Sequence, residues 1–421
     1  MRGTGPRKVD ALGANDPGPQ GSSTRRALAF WAPLALLGAF LYWLLLALSP
    51  GSPPCLSERS SDLCIYRHAG GALLRGEIPY RDFFIEYPPG SLLAFVPPAL
   101  LSTDEMGYTT LFSWEMALVL VATLVLTALT ARRLRGFRAW IFPALTFSAS
   151  AIMLFPVAVT RYDAVVALTL AIATFFCATL GGRYLLLAYA SLGFGAAAKI
   201  VPALATVPLA LARRGAARGY VVFLGVLVLF FAPALLVGGG GLLQSFAYQA
   251  DRGLQVESLA ASVLIALGRV NDFVIAHGAY EVRGRGAELA SSLSIAVTGA
   301  LLLITAFFIY REYRKGKSGL EAFPRHAAAL ILAFMLGSKV LSAQYVIWLL
   351  PLVPLAAGGE AGVLVAALFL AICCLTTQVY PIHYNDLLHL RFPGPHLLLA
   401  RNLLLLVLWL LLLLSPQRGE R

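Results

Sequence analysis

The feature that most constrains this chain is a succession of apolar runs, each about long enough to cross a lipid bilayer. Leu28 to Leu48 holds 21 residues without a charge, and comparable runs recur at 108–131, 139–157, 163–181, 219–237, 287–310, 361–380 and 395–414. A hydrocarbon core of about 30 Å takes roughly 20 helical residues per crossing. Hydrophobic types make up 59% of the 421 residues and charged types only 13%, half the roughly 25% of a soluble domain. Mean hydropathy is +0.77. A soluble globular enzyme, a disordered protein and a disulfide scaffold are excluded, and no length is left for a large soluble domain.

Two further apolar regions carry a charge where a plain span has none. Residues 184–212 contain Lys199 and Pro202, and 325–338 is separated from 344–359 by Lys339. A charge at mid-membrane costs at least about 2.5–3.5 kcal/mol, so each is read as a pair of short half-helices meeting near the outer face. This gives an all-α polytopic bundle of roughly 12 transmembrane helices. Basic residues cluster between the runs: Arg25 and Arg26; Arg132, Arg133, Arg135 and Arg138; Arg213, Arg214 and Arg218; Arg311, Arg314, Lys315 and Lys317. The loops and termini assigned to that side hold 20 of the 33 Lys and Arg but 6 of the 21 Asp and Glu, which places them in the cytoplasm. The net charge of +12 thus reflects membrane sidedness, and nucleic acid is not an expected partner. The expected location is the cell membrane, multi-pass, with both termini cytoplasmic. Residues 1–27 read as a disordered tail, 28–414 as one membrane domain and 415–421 as a second tail.

The long first outer loop, 49–107, carries the main chemical signal. Its pieces 62–75 and 89–101 look amphipathic or interfacial, and the second, too short to span and too apolar to be free loop, reads as an interfacial or re-entrant helix. Asp62 starts the first. It is either a helix cap, a role Ser60 or Ser61 also suits, or an ionised base at the water–lipid boundary. Cys55 and Cys64 share this loop and are able to pair in an oxidising compartment. Gly238 to Gly241 reads as a flexible connector, since no Lys-Ser/Thr follows it as in a phosphate loop.

The loop also contains D-L-x-x-Y at 62–66, G-x-x-P-Y-R-D at 76–82 and E-Y-P-P at 86–89. Further on come R-Y-D at 161–163, A-K-I-V-P at 198–202, R-G-L-Q-V-E-S at 252–258 and K-V-L-S-A-Q-Y at 339–345. In this order the set resembles the GT-C class of membrane glycosyltransferases, most closely glycosyltransferase family 87, the polyprenol-phosphate-mannose-dependent mannosyltransferases. The resemblance implies a multispan enzyme with its active site facing outward. It would move a hexose, mannose in the best-known members, from a polyprenyl-phosphate carrier to a hydroxyl of a glycan or glycolipid acceptor. It also implies a catalytic carboxylate in the first outer loop, the position Asp62 occupies.

A lipid-phosphate donor needs interfacial cations, and Lys199, Arg252, Lys339 and Arg161 are the candidates; their bland alternative is snorkelling to headgroups. Tyr66, Arg81, Asp82, Glu86, Gln255, Glu257 and Gln344 are candidate sugar or acceptor contacts. Against that, Arg81, Asp82 and Glu86 have an alternative as solvated loop charges, and Glu257 as a partner of Arg252. One carboxylate base suffices for inversion, whereas a covalent retaining route needs a second as nucleophile. No cofactor is expected. No H-E-x-x-H, C-x-x-C or D-x-D is present, and His383, His389 and His396 are spaced six and seven apart in a Pro-containing loop, so no metal site is assigned. Two other classes fit part of the pattern: a secondary transporter, which shares broken helices with midplane charges, and a lipid-carrier ligase or flippase of cell-envelope glycan assembly.

Overall fold

The computed structural model describes residues 20–48, 61–180, 184–212, 216–316 and 319–414. Most of the expected N-terminal tail, Cys55, Ser60, Arg213, Arg214, Lys317 and the tail 415–421 lie outside the described residues. Cys64 is disulfide-bonded.

Helix α1 (Gln20–Leu48) opens the bundle. The first loop then folds as α2 (Asp62–Leu74), a 3-10 turn at Pro89–Ala94 and α3 (Val96–Leu101). Both pieces expected at the interface are therefore helical. Helix α4 (Glu105–Arg135) starts at an Asp104 cap, whose side chain accepts from the Gly107 amide, and ends with Arg132, Arg133 and Arg135 in its last turn. Those cations complement the negative end of the helix dipole. At about 1.5 Å per residue, α4 is roughly 46 Å long. It separates an end of the molecule carrying Asp62 from an end rich in arginine.

The span expected at 139–157 is two pieces, α5 (Ile141–Met153) and α6 (Phe155–Ala158), because Pro156 cannot extend the preceding ladder. Helix α7 (Asp163–Phe175) lies against α4 and against α8 (Leu185–Ala198). Lys199 is extended (φ −160°, ψ 124°), and the chain resumes as a 3-10 turn at Val201–Ala205 and α9 (Thr206–Leu211). Pro202 lacks the amide that a continuous helix needs there. The half-helix pair read from 184–212 is thus present, broken at the residue whose charge forbade a single span.

Helix α10 (Ala216–Gly238) leads directly into α11 (Gly240–Ala250). The glycine run is not the flexible connector read from sequence. It breaks only at Gly239 (φ +54°), and a Cβ on Gly241 would lie 1.7 Å from the Tyr80 carbonyl oxygen. The glycines let α11 start against the first loop. The outer segment that follows holds α12 (Leu259–Ala266) and an antiparallel hairpin of β1 (Val270–Ala276) and β2 (Ala279–Gly284), which corrects the all-α expectation locally. His277 and Gly278 both have positive φ, as a two-residue hairpin turn requires.

Helices α13 (Ala287–Arg314) and α14 (Phe323–Gly337) pack side by side. At the arginine-rich end Glu312 pairs with Arg325 and His326, and Arg325 also donates to Leu412 O, so a buried cation in a membrane helix is compensated. The expected helix 344–359 is a 3-10 turn at Ala343–Leu349 followed by the short α15 (Val353–Ala356), because Pro351 and Pro354 interrupt the α ladder. Helix α16 (Gly359–Thr377), the short α17 (Tyr384–Leu388) and α18 (Gly394–Leu414) complete the fold.

Among the described residues, seven helices are long and apolar enough to cross a membrane. The other five expected spans are apolar helices of 10–17 residues. The architecture is that of a multi-pass membrane protein.

The first loop meets the broken helix at Gly90, where a Cβ would sit 2.6 Å from Ala197 C and 2.8 Å from its carbonyl oxygen. Gly90→Ala should therefore lower the thermal midpoint in mild detergent, in keeping with an overpacking loss of about 1–3 kcal/mol. Gly225→Ala, whose Cβ meets nothing within 4 Å, should leave it unchanged or slightly raised. Equal midpoints for the two variants would contradict this packing.

Candidate active site

The Ser61 side chain accepts from the Cys64 amide and caps α2. That capping role is therefore filled, and the Asp62 carboxylate is turned to another use. Its Oδ2 lies 2.7 Å from Arg161 Nε, with Asp62 about a quarter exposed (26%) and Arg161 13%. The contact is a close charge pair and not an aligned hydrogen bond, since the buried Arg161 Nε has no hydrogen-bond acceptor. Among the described residues, Asp62 Oδ1 has no hydrogen-bonding partner. Burial works against the guanidinium charge, and Asp62, with the phenols of Tyr380, Tyr66 and Tyr87, outweighs it, raising the Arg161 pKa further. The expected phosphate ligand Arg161 is instead the partner of the expected base.

One residue beyond the 159–162 turn, Asp163 begins α7 and is fully buried. Its Oδ1 accepts from Lys199 Nζ at 2.7 Å and from Trp348 Nε1 at 2.6 Å, while Oδ2 is buried without a partner. The Lys199 ammonium also sits 5.1 Å from the ring centroids of Tyr162, Tyr345 and Trp348, within cation–π range. Lys199 is thus engaged by a carboxylate and an aromatic cage, so its charge is already balanced. Sequence reasoning quoted the R-Y-D motif and missed Asp163 as a site residue. A carboxylate opening a span beside a later Lys-bearing break was the signal available.

Aromatic rings join these two ion pairs. Tyr66 is buried and stacks on Phe95 at 4.3 Å, and Tyr162 meets Tyr66, Tyr87 and Phe95 edge-on at 5.3–5.7 Å. Tyr345 stacks on Trp348 at 4.2 Å. The charges stand among apolar walls, where their mutual interactions are stronger than in water.

The remaining candidates fall in neighbouring groups. Arg252 Nη1 donates to Gln249 Oε1 at 3.3 Å, and Gln249 Nε2 donates to the Glu86 carbonyl at 3.4 Å, so the half-buried Arg252 and Glu86 meet across one residue. The buried Arg252 Nε has no acceptor. Lys339 Nζ donates to Ala250 O at 2.7 Å, and Gln344 is half-buried at the start of the 3-10 turn. Gln255, expected as a sugar contact, is buried with its amide bonded to Leu341 N and Ser342 Oγ, which makes it a brace for the Lys339 segment. Glu257 is buried in an ion pair with Arg401 at 2.8 Å, and not with Arg252. Arg81 and Asp82 pair with each other on the surface at 2.9 Å. Arg81 and the Ile78 amide hold the Asp82 carboxyl below the usual range, so these two serve the turn. His383 bonds Asp386, His389 bonds Asn385 O, and His396 lies beside Phe392. Among the described residues no three or more His, Cys, Asp or Glu group as metal ligands.

Residues 84–338, more than half the chain, match the family model described as Glycosyltransferase family 87. No curated protein sequence matches the chain. The fold is similar to that of ArnT from Cupriavidus metallidurans bound to undecaprenyl phosphate, with a TM-score of 0.52, 14% identity, and 92% of this chain and 77% of that one covered. This likeness is to a GT-C glycosyltransferase and shows the fold expected from the motifs. A weaker likeness, TM-score 0.44 at 13% identity over 92% of this chain and 55% of the other, is to the Archaeoglobus fulgidus oligosaccharyltransferase tethered with an acceptor peptide.

Removing one partner of a buried ion pair leaves an uncompensated charge and costs about 3–5 kcal/mol. Lys199→Met should therefore lower the thermal midpoint strongly. Asp163→Asn combined with Lys199→Met should lose less than the two single losses together, by a coupling of about 0.5–3 kcal/mol. Additive losses would contradict the pairing.

Proposed function

The chain belongs to glycosyltransferase family 87, and from that premise we propose that it transfers mannose from a polyprenyl-phosphate carrier to a hydroxyl of a glycan or glycolipid on the outer face of the cell membrane. Family membership favours an enzyme over a transporter or flippase. The observation that carries the mechanism is the Asp62 carboxylate. One oxygen is held by Arg161, and the other is open among the described residues, at the end of a bundle whose opposite end bears the arginine clusters. The positive-inside rule supports an outward orientation of that end. ArnT, with the shared fold, was solved bound to undecaprenyl phosphate, which supports a lipid-phosphate donor here.

In this reading Asp62 Oδ1 takes the proton from the acceptor hydroxyl. The acceptor oxygen attacks the anomeric carbon as the bond from that carbon to the phosphate oxygen breaks, and polyprenyl phosphate leaves with the bonding pair. Arg161 orients the base through their charge pair. Arg252 and Lys339 meet the charge that grows on the departing phosphate. A single in-line displacement inverts the anomeric centre. Asp163 and Lys199 hold the aromatic wall rather than react. The catalytic unit is residues 28–414.

General base catalysis contributes about 10²–10⁴-fold. With labelled polyprenyl-phosphate mannose supplied to membranes, Asp62→Asn should transfer label slower by about that factor while inserting normally. Equal labelling by wild type and variant would defeat the base assignment. A polyprenyl-phosphate carrier of another hexose used in strong preference would defeat mannose.

A further inference from the structure

Arg401, in the first half of α18, is fully buried with its neighbour Asn402. Burying a guanidinium is costly unless it is fully engaged, and this one is. Nη1 donates to Glu257 Oε2 at 2.8 Å, Nη2 to Glu257 O at 2.7 Å, and Nε and Nη2 to Asn402 Oδ1 at 3.1 and 2.9 Å. Asn402 Nδ2 in turn donates to the carbonyls of Glu257 and Ser258 at 3.2 Å. Six hydrogen bonds are thus directed at Glu257, Ser258 and the Asn402 side chain that helps hold them.

From there a ladder runs toward the proposed phosphate site. Ser258 N donates to Gln255 O, Gln255 N donates to Lys339 O at 2.9 Å, and Leu341 N donates to Gln255 Oε1 at 2.8 Å. On the other side, Val256 N donates to Tyr280 O and Val282 N to Leu254 O, so the hairpin braces the same strand-like segment. The segment 338–342 between α14 and the next 3-10 turn has no regular secondary structure of its own. Gln255 holds it at three points, through Lys339 O, Leu341 N and Ser342 Oγ.

We infer that Arg401 is a positioning residue for the transfer reaction: through Glu257 and Gln255 it fixes the segment that presents Lys339 to the lipid phosphate. The inference rests on the proposed reading of Lys339 as a phosphate contact. Arg401 touches neither donor nor acceptor. Its effect is to hold a cation in place before the donor arrives, which lowers the ordering cost of binding.

The test replaces both charges by apolar groups, Arg401→Met with Glu257→Leu, an exchange that buried pairs often tolerate. The double variant should keep its thermal midpoint within a few degrees. Amide hydrogen exchange across residues 339–344 should accelerate about tenfold or more. With polyprenyl-phosphate mannose as donor, KM should rise about tenfold while kcat changes less than about threefold. Arg401→Lys alone should restore part of the donor KM. If the double variant does not fold, Gln255→Leu cuts the ladder beside Lys339 and should give the same exchange and KM result. Unchanged exchange and unchanged KM in a folded variant overturn the inference. Lys339→Met in parallel separates the two claims: if it leaves donor KM unaltered, the phosphate reading fails, whereas a raised KM there beside an unaffected Arg401 variant sinks the positioning role alone.

Discussion

The buried carboxylate of Asp163 ties the candidate site together. It draws Lys199, 36 positions later, and Trp348, 185 positions later, to one oxygen. Lys199 stands where one helix breaks, and Trp348 lies in the turn just after another break. Each break exposes backbone and, at Lys199, charge that a membrane would reject. Bringing them together around one anion and a set of rings compensates both at once. The first loop then packs on this junction through Gly90 and the stacked Tyr66 and Phe95. Remove the anion, and the cation has only aromatic faces to replace it.

This arrangement explains why Asp62 and Asp163, both carboxylates beside a cation at the same end of the bundle, take different parts. Asp163 is enclosed, and its oxygen is committed to two donors. Asp62 opens an interfacial helix already capped by Ser61, keeps a quarter of its surface exposed, and gives only one oxygen to Arg161. The base proposed to accept a proton from an incoming hydroxyl needs such an opening. A group that holds two broken helices together must not have one.

Much of the fold was legible because it follows from lengths and charges. Runs near 20 apolar residues and arginine-rich boundaries located the long helices. Lys199 and Lys339 located the breaks, since a mid-membrane ammonium is too costly to leave in a continuous span. The hairpin was missed because its turn is His277-Gly278, outside the usual Asn-Gly pattern, and because its strands lie in a polar stretch. For the candidate site, motif spacing singled out residues but not their partners. A sequence does not reveal that Arg161 lies against Asp62, or that Arg401, 144 positions after Glu257, lies against it. Asp163 stood only as the last residue of R-Y-D, since its long-range donors are invisible in one dimension.

The central claim is that Asp62 and the lipid-phosphate site share one end of this bundle. An experimental structure with a polyprenyl phosphate bound tests it most directly. The account predicts the phosphate within hydrogen-bond reach of Lys339 or Arg252, with the open oxygen of Asp62 facing the space the sugar would fill. A phosphate bound at the arginine-rich end of α4, or an Asp62 walled off from the bound lipid, would contradict it.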